Sequence, residues 1–341
     1  MAHSNLSRRT LLQSAAVGAS GLALGQIART EPAGAATFTK GCDISWAQQM
    51  MANGYTWKNS SGKQQDLFTI LAGYGINAIR LRTWVNPSSD PVNGHCSISE
   101  TAAMAVLAKN AGMAVLIDFH FGDTWNDAGH QNPPAAWASM TYSQMLTAMN
   151  NYVYHSMNVL KYNNITPEWV QIGNETNSGI CHPVGSISKP AQMTGLLNAA
   201  HDRVKEVSSN SVVCIHLAQP QNYSSMQDFF SAYSGNGGKW DMSVFSSYGS
   251  AGVASGIVGN MHEIASAYGK PFMQAEFGGN VSSAGSTEKS LEAYISALKS
   301  AGGQGIFYWE PEVYSPFDSY AAGAWDSSTK EPTVIMNGFS A

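Results

Sequence analysis

Ionisable and hydrogen-bonding side chains stand at the ends of short apolar runs throughout this sequence. Asp43 closes the first run, Arg80 and Arg82 the second, Asp118 and His120 the third, Asn174 and Glu175 the fourth. His216, Tyr248, Glu276 and Glu310 close the four that follow. A carboxylate in such a place does nothing for folding and costs free energy to bury unless it is paired. One such residue could be a satisfied structural group, but a set recurring at the same point of repeated units marks a site. Glu175 and Glu276 suggest the clearest chemistry. Two carboxyl groups facing each other in a cleft can cleave a glycosidic bond, one protonating the leaving oxygen while the other attacks carbon or activates water. Asn-Glu alone is a weak signal; it gains weight from its place at the end of WVQIGNET (169–176), with a second glutamate three runs later. Trp84, Trp125, Trp137 and Trp309 fall just beyond the runs, where an indole can stack on the apolar face of a sugar ring. Sugar contact is expected of Trp84 and Trp309, and core packing of Trp46 and Trp169. A metal-dependent hydrolase is a weaker rival: Asp118, His120, Asp123 and His130 are close in sequence, but no His-x-His or His-x-x-x-His pair accompanies them.

The elements that must position these residues repeat. Apolar runs at 39–45, 76–82, 113–120, 168–175, 211–218, 241–248, 271–277 and 305–310 read as strands buried on both faces. Segments with helical periodicity separate them, at 66–73, 97–111, 143–160, 191–207, 223–233, 258–268 and 291–301. Gly73, Gly112, Gly269 and Gly302 lie where helices would end. Strand and helix alternating to a total of eight strands predicts a single (β/α)8 barrel over 37–341, whose chemistry belongs at the C-terminal ends of the strands. An open doubly wound sheet is the alternative, weakened because no G-x-G-x-x-G or phosphate-binding loop follows a strand.

Composition narrows the partners. Of 341 residues only 12% are charged, about half the usual share, so Ser, Asn, Gln, Gly and Thr must cover much of the surface. A net charge of −5 without a basic patch gives no footprint for nucleic acid or an anionic membrane and suits a neutral partner. Residues 1–36 read apart from the fold: Arg8-Arg9 followed by leucines and a Gly/Ala-rich stretch resemble a twin-arginine export signal, ending at Ala33-Gly34-Ala35. A periplasmic or extracellular protein without a membrane anchor is expected, and a monomer. Cys42, Cys96, Cys181 and Cys214 allow three full pairings in an exported protein, or remain free thiols.

Longer strings carry a family resemblance. NAIRLRTWVNP (77–87), AGMAVLIDFHFGDTWNDAGHQNPPAAW (111–137), PEWVQIGNETNSG (167–179) and IFYWEPE (306–312) closely resemble glycoside hydrolase family 53, the endo-β-1,4-galactanases. The likeness runs from GCDISW (41–46) to EPTVIMNGF (331–339). It implies a retaining endo-hydrolase of β-1,4-galactan, with Glu175 as acid/base and Glu276 as nucleophile. Asn174 would hold the sugar 2-hydroxyl, and Arg82 and Tyr248 would keep Glu276 ionised and oriented, with Arg80 competing for the arginine role. His120 and His216 would line the site, His216 tuning the acid/base, and Trp309 would form the floor; Asp43 and Trp125 complete the set. No cofactor is required; the resemblance allows a structural calcium, for which no ligands stand out. The chain departs from the family pattern at Ser246-Ser247-Tyr248-Gly249, where a proline commonly follows the tyrosine, and at QAEFGGN (274–280). Rival readings are a relative acting on mannan or cellulose, and a sugar-binding protein that has lost catalysis.

Overall fold

In the computed structural model, which describes residues 37–318 and 320–341, a closed barrel of eight parallel strands forms the centre. The export-type segment read in residues 1–36 lies outside the described residues. The strands are β1 (Thr39–Asp43), β2 (Ala78–Thr83), β3 (Ala114–Phe119), β4 (Trp169–Ile172), β5 (Val212–Ala218), β6 (Met242–Ser246), β7 (Phe272–Phe277) and β8 (Gly305–Trp309). Each pairs with its neighbour in chain order, and β8 closes on β1 with Gly305 opposite Thr39 and Trp309 opposite Asp43. The open sheet considered from the sequence is thus not the fold.

Helices α1 (Leu67–Gly73), α2 (Ile98–Asn110), α3 (Tyr142–Tyr162), α4 (Pro190–Val207), α5 (Tyr223–Gly235), α6 (Ala254–Ala267) and α7 (Ala284–Ser300) link successive strands. Local chemistry starts several of them. Ser97 and Glu100 form a reciprocal capping box on α2, and Thr141 and Gln144 do so on α3, each satisfying backbone N–H groups that a helix start leaves unpaired. Two helices begin earlier than the apolar periodicity suggests, α6 at Ala254 rather than 258 and α7 at Ala284 rather than 291. Their first turns are rich in Gly, Ser and Ala, so no apolar stripe announces them.

Inside the barrel, Ala78, Leu116, Trp169, Met242, Val244, Met273 and Phe307 pack as a plug distinct from the larger core between strands and helices. Gly41 makes room for it: a Cβ there would lie 2.2 Å from the Phe307 ring. The plug closes the barrel bottom with apolar side chains, so the inward-pointing polar residues are confined to the other end. Cys42, Cys96, Cys181 and Cys214 are buried free thiols. Among the described residues no helix is long and apolar enough to cross a membrane.

Candidate active site

Strand β4 ends at Ile172, three residues short of the run read from sequence. Gly173 at φ 98° turns the chain, and Glu175 follows at φ 47°, ψ 53°. This left-handed conformation costs a non-glycine residue about 1 kcal/mol or more and persists only where its surroundings impose it. The surroundings are visible. Gln131 Nε2 donates to the carbonyls of Asn174 at 2.7 Å and Glu175 at 3.2 Å, while the Glu175 N–H points at His216 Nδ1, 3.3 Å away. Phe121, Gln219 and Glu310, each just beyond a strand end, also have positive φ, so the barrel mouth is built largely on strained turns.

The carboxyl groups of Glu175 and Glu276 open into one cavity of about 300 Å³, which His120, Trp125, Asn126, Asp127, Asn174, Tyr248 and Trp309 also line. Their environments differ. Glu276 lies within β7, opposite Ser246 of β6 across a register shift. Its Oε1 meets Arg80 Nη2 at 2.8 Å and its Oε2 accepts from the Tyr248 hydroxyl at 2.9 Å. Burial pushes the Glu276 carboxyl up, and the Arg80 guanidinium opposes that shift. Among the described residues no cation pairs with Glu175. Its Oε2 accepts a backbone N–H from Ala128 at 3.2 Å, and burial followed by the charge on Glu276 pushes it up to about 7. A proton shared between these neighbours therefore rests on Glu175, and Glu276 carries the negative charge.

Arg80 is the hub of the buried polar layer. Besides Glu276 it meets Asp43 at 2.6 Å, Asp118 at 2.9 Å and the Asn174 side-chain oxygen at 3.0 Å. Asp43 itself is fully buried and accepts from Ser45, so it positions Arg80 and does not reach the cavity. Asp118 also accepts from His120 Nε2 at 2.9 Å. Although burial favours its neutral form, Arg80 and then His120 hold Asp118 below the usual carboxylate range. Asn174 is fixed at both ends: Oδ1 faces Arg80 and His216, and Nδ2 donates to the Asn126 carbonyl at 2.9 Å. The His216 ring is fully buried between Asn174 Oδ1 (2.9 Å from Nδ1) and Ser246 Oγ (2.6 Å from Nε2). Burial, then Arg80, drive its pKa well below the ordinary histidine value, so the ring is neutral.

A model of glycosyl hydrolase family 53 matches residues 39–292. The chain belongs to glycosyl hydrolase family 53. Among relatives, it is 29% identical to an arabinogalactan endo-β-1,4-galactanase A of Emericella nidulans, over 81% of this chain and 85% of that one. It is also 29% identical to an endo-β-1,4-galactanase of Bacillus subtilis, over 80% of this chain and 70% of that one. One of two fungal β-1,4-galactanases of known structure superposes with a TM-score of 0.80 at 26% identity, covering 89% of this chain and 98% of that chain.

Within this family 53 barrel the geometry decides one open expectation and corrects another. Of the two arginines expected to compete for the place beside Glu276, Arg80 takes it; Arg82 ion-pairs with Glu310 and lies among the rings of Trp46, Trp84 and Trp125, 5.0, 5.2 and 4.4 Å from their centroids. Both arginines project to the same face of β2, but Arg82 is one strand repeat nearer the rim, where β8 and the indoles capture it. Trp84, expected to touch sugar, is fully buried beneath Trp125, with centroids 5.1 Å apart. Trp309 and Trp125 remain partly exposed along the cavity, resting on buried Trp46 at 5.4 and 5.5 Å. Tyr248 exposes about half its surface while its hydroxyl turns inward to Glu276.

Sequence reasoning missed four participants. Gln131 and Asn126 hold the loop after β3 against Glu175 and Asn174; Gln171 donates to Asp118 from within β4. Glu312, buried beside Glu310, is driven towards its neutral form by burial and then by Glu310. Polar residues inside DFHFGDTWNDAGHQNPP and WVQIGNE were the available signal for the first three. The change at Gly249 also has a structural correlate: a Cβ there would lie 2.3 Å from the Tyr294 hydroxyl, so this loop requires glycine. Among the described residues no group of three or more His, Cys, Asp or Glu is arranged to hold a metal ion.

Proposed function

We propose that the chain is a retaining endo-hydrolase of β-1,4-galactan, as in type I arabinogalactan, acting by double displacement. The observation that carries this reading is the division of labour at the mouth of a family 53 barrel. Glu276 is ionised by Arg80 and aimed by Tyr248, whereas Glu175 is buried without a cation and pushed up to about 7. Glu276 attacks the anomeric carbon, forming a galactosyl–enzyme ester as the bond to the leaving oxygen breaks. Glu175 gives that oxygen its proton. Glu175, now ionised, then takes a proton from water, which attacks the same carbon and releases Glu276. The partly exposed indoles of Trp309 and Trp125 offer apolar faces to galactose, whose axial 4-hydroxyl leaves one side of the ring largely C–H. Asn174 Nδ2 commits one hydrogen to Asn126 and keeps a second for the sugar 2-hydroxyl. The curated relatives named above act on galactan, which favours galactan over mannan or cellulose.

The twin-arginine-type segment supports export to the periplasm or beyond. Oligosaccharide release from linear β-1,4-galactan by residues 37–341, beside mannan and carboxymethylcellulose, tests the substrate. Release from mannan or cellulose at a comparable rate would overturn the choice of galactan.

A further inference from the structure

An arginine brings five N–H donors and a charge that does not titrate away, so burying one is costly unless donors and charge are met. Arg82 is 1% exposed. Its Nη1 ion-pairs with Glu310, yet Nε and Nη2 have no hydrogen-bond partner among the described residues. Indole surrounds the guanidinium instead, with the Trp125, Trp46 and Trp84 centroids 4.4, 5.0 and 5.2 Å from its central carbon. A guanidinium over an indole face is drawn to the negative π-cloud, and more strongly where water is excluded. The nucleophile does not call on this charge, because Glu276 has Arg80 as its cation.

Of the three indoles only Trp125 lines the cavity that holds Glu175 and Glu276; Trp46 and Trp84 are buried. The placement of Trp125 owes little to backbone. It belongs to no helix or strand, and its ring nitrogen donates at 3.0 Å to Asn93 Oδ1, on an exposed stretch that is itself irregular. Arg82, by contrast, stands on β2 in register with Asp118 of β3. Glu310, which anchors its charge, also accepts from the Trp46 N–H at 3.1 Å. The cation against Trp125 is therefore fixed to the barrel wall. Trp125 in turn meets Trp309 in a T-shaped contact, with centroids 5.9 Å apart.

We infer that Arg82 is a positioning residue for the sugar chain, holding the Trp125 indole at the cavity so that Trp125 and Trp309 present one wall to galactan; this rests on the function proposed above. Arg82 itself, buried beneath the indoles, does not reach the cavity. Its effect passes through Trp125, so it belongs to substrate binding and leaves the proton balance of Glu175 and Glu276 alone. Without the cation, the indole loses the contact that holds it to the barrel wall, and a loop side chain is left free to reorient. Ordering that side chain again when sugar arrives weakens binding.

The test is a double-mutant cycle between Arg82 and Trp125, read by steady-state kinetics on linear β-1,4-galactan. Arg82→Met alone leaves Glu310 buried without its cation, so it is combined with Glu310→Gln, which removes both charges and keeps an oxygen for the Trp46 N–H. This charge-free variant should raise KM roughly tenfold, with kcat within about twofold of wild type and both limbs of the pH profile in place. Trp125→Ala should raise KM by a similar factor, and adding the two charge changes to it should raise KM no further. Arg82→Lys, which keeps the buried charge balanced, is the milder form of the same test and should raise KM by a smaller factor, again only while Trp125 is present. A folded charge-free variant with the wild-type KM, a loss confined to kcat, or a rise in KM that persists undiminished in the Trp125→Ala chain would overturn the inference. Near-ultraviolet circular dichroism reads the indoles without substrate: the charge-free variant should lose the signal that Trp125→Ala loses, and an unchanged spectrum would overturn the placement of Trp125 by Arg82. Failure of the wild-type chain to cleave galactan would count against the proposed function and leave the arginine to be decided by that spectrum.

Discussion

Replacing Arg80 by methionine should expose how the buried layer is held together. Arg80 is 1% exposed and meets the carboxylates of Asp43, Asp118 and Glu276 within 2.9 Å. Methionine fills similar volume without charge, leaving those groups facing one another in a dry environment. Removing one partner of a buried pair costs about 3–5 kcal/mol, and three carboxylates here lose the same cation. Protonation provides the escape. Asp118 now lies below the usual carboxylate range, so its contribution to stability is present above the unfolded pKa and fades as pH falls through the folded one. Without Arg80, burial and mutual repulsion leave Asp118 and Glu276 above their unfolded values, a penalty felt at neutral pH and relieved as pH falls through those raised pKa values. Arg80→Met should therefore be destabilised by at least about 3 kcal/mol at pH 7.5 and by clearly less at pH 5, as read by urea denaturation. The acid limb of its residual activity should move to higher pH, because the nucleophile must lose a proton that Arg80 no longer repels. Arg82→Met removes a different ion pair, with Glu310, and should leave that limb in place. The reasoning fails if Arg80→Met keeps the wild-type acid limb while Arg82→Met shifts it.

Other consequences follow from the same geometry. With Glu175 at about 7, wild-type kcat/KM on galactan should fall above an apparent pKa near 7, and Glu175→Gln should abolish that alkaline limb while retaining turnover of aryl galactosides that carry strongly acidic leaving groups. Trp309→Ala, which strips an exposed cavity wall, should raise KM for galactan several-fold with the melting temperature nearly kept. Trp84→Ala instead opens a void beneath Trp125, where large-to-small changes cost about 3–5 kcal/mol; denaturant midpoints would show the contrast. Gly41→Ala drives a Cβ into the Phe307 ring and should destabilise the barrel by about 1–3 kcal/mol with kinetic constants little changed.

The barrel was legible because strands buried on both faces read as apolar runs, and seven linking segments of helical period fell between them. What escaped was whatever lacks an apolar pattern: the small-residue first turns of α6 and α7, and the exact end of β4, where Gly173 and left-handed Glu175 stop the strand early. The polar ring was legible as residue types at strand ends, but not as a wiring diagram. Strand alternation puts Arg80 and Arg82 on one face and cannot say which faces Glu276. That depends on depth in the barrel, on Glu310 just after β8, and on three indoles that follow β1, β2 and β3. Trp84 was misjudged for a related reason: beyond a strand end, lining the cavity and lying beneath another indole look alike in sequence. Gln131 and Asn126 act through backbone carbonyls, contacts that no residue spacing announces.

The account stands or falls on Glu276 forming a covalent bond to the sugar. Incubation of residues 37–341 with a 2-deoxy-2-fluoro-β-galactobiosyl fluoride, then peptide mass spectrometry, reads this directly. The expected result is one added galactobiosyl unit on the peptide carrying Phe272–Phe277, localised to Glu276, with activity lost in proportion. Labelling confined to another residue, or galactan cleavage yielding the inverted anomer with no label at all, would contradict it.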